Sequence, residues 1–125
     1  MDRQIQVGLP TDIDLGKCDL LVGIADGDCM DSPEAPIRIK DGQRVFAHSY
    51  ADDFNIYRDR EILYHRVCVV QYIADGKRYF AVKEISFFDE LTGKLRLTYY
   101  NPKKTNVWLK IDAIEKVYFV DGVEE

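Results

Sequence analysis

The chain has 125 residues, of which 46% are hydrophobic and 12% aromatic, and its formal net charge is −5. This composition indicates one folded domain rather than a disordered chain, because disordered chains are poor in apolar and aromatic residues. The negative charge argues against a domain that grips a nucleic-acid phosphate backbone by itself. No apolar run approaches the roughly 20 residues of a membrane span, and no signal peptide is evident, so we expect no membrane partner.

The cysteines and histidines predict neither a disulfide framework nor a metal centre. An odd number of cysteines, Cys18, Cys29 and Cys68, favours reduced thiols, which are typical of cytoplasmic proteins. These thiols and the two histidines show no paired spacing of zinc ligands. We therefore expect a cytoplasmic protein without a metal or another cofactor.

Taken in chain order, the sequence predicts short β-strands separated by turns. Apolar or alternating runs end at aspartate-glycine or asparagine-proline pairs, which favour turns. Strands are predicted at 20–24, 43–50, 66–74, 77–88, 94–100, 106–111 and 116–120. Only residues 51–64 are compatible with a helical turn or two.

The two longest runs are joined by Asp75-Gly76, a pair typical of two-residue β-hairpin turns. No βαβ rhythm and no internal repeat occurs. The sequence therefore predicts a mostly β fold of antiparallel hairpins, as a single domain over residues 1–125.

Two residues do not fit this strand pattern. Cys29 lies in the acidic turn Gly-Asp-Cys-Met-Asp, although a structural cysteine normally has apolar neighbours. Lys83 lies inside the apolar strand Phe-Ala-Val-Lys-Glu-Ile, where the simplest interpretation is that its stem packs and its ammonium group reaches solvent. The alternative is chemical, because a neutral amine in an apolar setting can act as a general base.

Several short motifs of this sequence occur in the same order as in a known protein family. They are Gly-Asp-Cys-Met at 27–30, a turn and strand at 37–45, the Val-Lys strand at 80–85, Leu-Thr-Tyr-Tyr-Asn-Pro at 97–102 and a closing strand at 111–120. Together they resemble the LexA/phage-repressor type of peptidase domain (the S24 family) over roughly residues 19–120. The separation of 83 − 29 = 54 residues resembles the longer phage-repressor branch, with 46–65 as its insertion.

The resemblance implies a LexA/signal-peptidase-like fold that contains a β-clip, and it implies roles for residues. Cys29 stands where the family has its nucleophilic serine, and Lys83 stands at the general base. Gly27 and Asp28 would shape the turn, and Met30 would pack beneath it. Backbone N–H groups near Cys29 would stabilise the oxyanion.

The cysteine is a departure from the family, and it leaves three functions open. A thiol is more acidic than a hydroxyl, which favours a thiolate–ammonium pair with Lys83, but misplacing the attacking atom can cost ~100-fold in rate. The favoured function is the regulatory and dimerisation domain of a phage-repressor/LexA-like transcription regulator of the SOS response, with weak or absent self-cleavage. The alternatives are an active Cys–Lys autopeptidase and a non-catalytic binding module. Residues 1–21 hold neither an Ala-Gly nor a Cys-Gly bond of the kind that self-cleaving members cut.

The resemblance also implies partners. Family members pair through their C-terminal strands, which predicts a homodimer interface with Trp108, Tyr118 and Phe119. The alternative is that these side chains complete the core of the monomer. DNA would be bound only through a separate N-terminal domain that this chain does not contain, and a recombinase filament would stimulate cleavage.

Overall fold

The computed structural model describes residues 20–124, so Cys18 lies outside the described residues. This part of the chain forms seven strands, one α-helix and one 3-10 turn. The elements are β1 (Leu20–Ile24), β2 (Arg44–Ser49), α1 (Ile56–Leu63), β3 (Arg66–Ala74), β4 (Lys77–Asp89), β5 (Lys94–Tyr99), β6 (Thr105–Lys110), the 3-10 turn (Ile111–Ala113) and β7 (Ile114–Val123). The prediction of a mostly β fold is confirmed.

All seven strands form one antiparallel sheet in the order β1-β2-β7-β3-β4-β5-β6. The last strand, β7, lies between β2 and β3 and pairs with both. Within residues 20–124, β1 and β6 are the two edge strands. The last strand in the sequence therefore lies in the middle of the sheet, and among the described C-terminal strands β6 has a free edge.

The hairpin of β3 and β4 is built as the sequence predicts. Asp75 and Gly76 both have positive φ, at 52° and 75°. Two-residue hairpin turns of this kind require positive φ at both positions, because their twist then matches that of the strands. This turn fixes the register that places Lys83 opposite Cys68.

Two apolar clusters form the core. The first packs α1 against strands β3, β4 and β5, with Leu63, Ile85 and Leu95 fully buried. The helix begins at a cap, since the Asn55 side chain accepts from the N–H of Arg58. The second cluster joins Met30 and Ile39 to β2, β3 and β7, and Cys29 packs at its margin.

Candidate functional site

The turn that carries Cys29 depends on glycine at position 27. Gly27 has φ of +105°, a conformation that side chains disfavour, and its N–H donates to Asp41 Oδ1 at 2.8 Å. The turn closes when the N–H of Asp31 donates to the carbonyl of Asp28 at 2.9 Å. Gly27 and Asp28 thus lie in a tight turn stabilised by backbone hydrogen bonds.

Met30 anchors this turn from below. Its side chain is 1% exposed and packs in the second cluster. Its carbonyl accepts from the N–H groups of Ser32 and Ile39, at 3.0 and 3.1 Å. These contacts hold the residue next to Cys29 from both its side chain and its backbone.

The end of β5 holds Cys29 from the other side. The Cys29 carbonyl accepts from the N–H of Tyr100 at 2.8 Å and from that of Asn101 at 3.0 Å. The Asn101 side chain also donates through Nδ2 to the carbonyl of Asp28 at 3.0 Å. Because these carbonyls are satisfied, the half-buried thiol is positioned by backbone contacts that do not involve its sulfur.

Lys83 lies directly against that sulfur. Its Nζ donates to Cys29 Sγ at 3.0 Å and approaches the carbonyl of Val82 at 3.5 Å. The thiol itself lies 3.9 Å from the same carbonyl. The Lys83 amine also lies 5.2 Å from the centre of the Tyr99 ring. The structure thus brings together the two residues for which the family resemblance implies a dyad, at a distance suited to proton transfer.

The sulfur and the amine open into a cleft of about 490 Å³. One wall is formed by β1 and the turn that follows it, and the other by Phe80 to Lys83 of β4. Among residues 20–124, the N–H of Cys29 has no acceptor. A candidate nucleophile, a candidate base and a candidate oxyanion donor therefore lie at one cleft.

Sequence reasoning missed a buried carboxylate beside the dyad. Glu84 is 5% exposed and accepts from the hydroxyl of Tyr100, while His65 Nδ1 lies 3.3 Å from its other oxygen. Burial, together with the hydrogen bond to Glu84, raises the pKa of Tyr100 to about 12. Tyr100 thus links the Cys29 carbonyl to Glu84, and only its place in the predicted strand end could have pointed to it.

The predicted interface residues do not lie together. Trp108 is 47% exposed on the edge strand β6. Tyr118 is buried in β7, where its hydroxyl donates to Gln71, and Phe119 packs on Tyr50. The structure places Tyr118 in the core of the monomer, which is the alternative that the sequence left open.

Three further observations concern the buried thiol of Cys68, metal ligands and membrane-spanning helices. Burial raises the pKa of the Cys68 thiol, which is fully buried in the first cluster. Among residues 20–124, no three His, Cys, Asp or Glu side chains are arranged to hold a metal ion. No helix in this same range is long and apolar enough to cross a membrane.

Comparisons with protein-family models, with curated proteins and with solved structures find no match to this chain.

Proposed function

We propose that this chain is a LexA/phage-repressor-type regulatory domain whose Cys29–Lys83 pair is a slow peptide-cleaving dyad. The observation that carries the proposal is the 3.0 Å approach of Lys83 Nζ to Cys29 Sγ. These residues are 54 positions apart and come from a turn and a strand, so their meeting is a property of the fold. The ordered motifs of the sequence support the resemblance to this family, and the geometry of the cleft supports the chemistry.

The chemistry follows from the atoms at the cleft. Cys29 Sγ attacks the carbonyl carbon of a peptide bond, and its proton passes to Lys83. The oxyanion accepts a hydrogen bond from the N–H of Cys29. Lys83 then protonates the leaving amine, which leaves a thioester on Cys29. Water hydrolyses this thioester to a carboxylic acid and restores the thiol.

Sulfur at position 29 makes this reaction slow. The C–S bond is longer than a C–O bond, so the attacking atom is displaced from the place that the turn gives a hydroxyl. A displacement of this kind can cost ~100-fold in rate. Slow cleavage suits a regulator that must survive until a signal arrives, and in this family the signal is contact with a recombinase filament.

The test is cleavage of peptides supplied in trans. A proteome-derived peptide library is incubated with the chain at alkaline pH, and new amino termini are identified by mass spectrometry. The original chain should cut slowly, Cys29→Ser should cut faster, and Cys29→Ala and Lys83→Met should not cut. Lys77→Met is the matched control, because Lys77 is an exposed lysine at the far end of the same strand.

The comparison of the original chain with Cys29→Ser decides the proposal. If neither cuts any peptide while circular dichroism shows that both are folded, the dyad is inactive. The domain would then be a binding module that retains the arrangement of a peptidase site.

A further inference from the structure

One hairpin of this acidic chain carries a net positive charge. Residues 94–110 contain five lysines and arginines and no acidic residue. The remaining residues contain 17 − 5 = 12 basic and 22 acidic residues, so the hairpin carries +5 and the rest of the chain −10. The expectation that the domain does not grip a phosphate backbone was drawn from the net charge, which conceals this asymmetry.

The register of β5 and β6 places part of this charge on one face. Lys94 pairs with Lys110, and Arg96 pairs with Trp108. Residues directly opposite each other in an antiparallel pair share a face, and alternate residues along a strand do as well. Leu95 and its neighbours on the other face are buried in the core, so Lys94, Lys110, Arg96 and Trp108 form an outer face, here called the basic face.

The cations of this hairpin have no carboxylate partners among residues 20–124. Elsewhere in residues 20–124, five arginines form ion pairs with carboxylates: Arg38, Arg44, Arg58, Arg60 and Arg78. Within the same range, none of the five cations of the hairpin has a carboxylate within ion-pair distance.

The like-charged pair Lys94–Lys110 is destabilising where it stands. Asp89 lies opposite Lys94 in the register, but its carboxylate accepts from the backbone of Leu91 and the hydroxyl of Thr92. A folded chain that leaves these charges uncompensated has a face suited to an external polyanion.

Exposed aromatic rings lie among these charges. Phe87 of β4, Arg96 of β5 and Trp108 of β6 are register neighbours and form a row across three strands. Phe87 is 43% exposed and Trp108 is 47% exposed. The Arg96 guanidinium lies 5.4 Å from the centre of the Phe87 ring. The row is about 10 Å wide, since neighbouring strands are about 4.8 Å apart.

We propose that the basic face binds a single-stranded nucleic acid. Phosphates would lie on Lys94, Lys110 and Arg96, and a base would stack on Trp108, because the Phe87 ring already stacks with Tyr64 and lies under Arg96. From Lys94 to the turn with Lys103 and Lys104 the hairpin is about 20 Å long, which suits a site of about four nucleotides. The exposed Trp108 ring beside cations without carboxylate partners favours this ligand over an acidic peptide, because bases present flat faces for stacking.

The test uses Trp108, the only tryptophan of the chain, as its own probe. An oligothymidine of about ten nucleotides should quench its fluorescence, and the affinity should fall as salt rises. Trp108→Leu, followed by anisotropy of a labelled oligonucleotide, should weaken binding about five-fold or more. Lys94→Glu combined with Lys110→Glu should weaken it further and flatten the salt dependence. Lys77→Glu makes the same charge change at the far end of β4 and should leave binding unchanged.

Several results would overturn the proposal. One is the absence of binding at low salt by the folded original chain. Another is equal competition by polyphosphate with no effect of Trp108→Leu, which would show an attraction to any polyanion without base stacking. Should the double lysine variant unfold, Lys110→Glu alone replaces it, because Lys110 is exposed. Binding that survives this variant, or that Lys77→Glu weakens as much, would place the ligand elsewhere.

Discussion

Replacing Lys83 with methionine should slow acylation of Cys29 by an activated ester. Methionine keeps the length and most of the apolar stem of lysine but has no amine to take the thiol proton. Lys83 Nζ lies 3.0 Å from Cys29 Sγ, inside the range of about 2.6–3.2 Å that a general base needs. The variant therefore removes one proton acceptor while the cleft keeps its shape.

The size of the expected loss in acylation rate follows from this geometry. A positioned acid or base contributes about 10²–10⁴-fold to a rate. Cys29 and Lys83 are both partly exposed, so water can take the place of the missing amine in part. We therefore expect a loss near the lower end, about 100-fold.

The assay is the burst of nitrophenolate from p-nitrophenyl acetate, which needs no knowledge of the natural substrate. The burst should approach one equivalent per chain and disappear in Cys29→Ala. All variants carry Cys18→Ser, and Cys68 stays silent because it is fully buried and burial raises its pKa. Lys77→Met is the control for loss of a lysine on the same strand.

The reasoning fails if Lys83→Met, shown to be folded, acylates within about three-fold of the original chain. Such a result would mean that the 3.0 Å contact does not activate the thiol. Cys29 would then be an ordinary accessible cysteine, and the proposal of a dyad would lose its chemical basis.

Three further predictions concern stability and association. Met30→Ala should lower the free energy of unfolding by about 2–5 kcal/mol in urea denaturation, because Met30 is 1% exposed; an unchanged midpoint would contradict its role under the turn. Burial raises the pKa of Tyr100 to about 12, so the folded chain holds this proton to a higher pH than the unfolded chain. The stabilisation that comes from the raised pKa of Tyr100 is full below about pH 10 and declines towards pH 12. In thermal melts at alkaline pH, Tyr100→Phe should therefore lose less stability over this range than the original chain. Finally, the chain should sediment as a dimer at micromolar concentration through the free edge of β6, a pairing of backbone groups that leaves the Trp108 ring open on the basic face; a monomer would refute pairing through β6.

The local elements could be predicted because their signals are local. The strand at 20–24 and the Asp75-Gly76 hairpin follow from apolar runs and turn residues, and the structure confirms both. The position of β7 between β2 and β3 has no such signal, because it depends on which faces pack together. The interface prediction assumed unpaired strands near the chain end, and among the C-terminal strands of residues 20–124 only β6 has a free edge. Tyr118 lies on β7, which pairs with β2 and β3 and so offers no free edge to a second copy.

Some residues of the candidate site could likewise be predicted from the sequence, and others could not. Cys29 and Lys83 could be selected because each is out of place in its own segment. Tyr100 and Asn101 could not, because they hold Cys29 through backbone N–H groups that nearly any residue supplies. The basic face was hidden for a related reason: the charges of 94–110 are visible in the sequence, but their common face requires the register of two strands.

Because backbone hydrogen bonds shape the turn, the side chain at position 29 can be replaced without altering it. The Cys29 carbonyl accepts from Tyr100 and Asn101, and Gly27 sets the bend, so the backbone hydrogen bonds that shape the turn do not involve sulfur. Serine or alanine at this position should therefore leave the turn in place. The activities of Cys29→Ser and Cys29→Ala would then report the chemistry of one atom, and a difference between them could not be ascribed to a collapsed site.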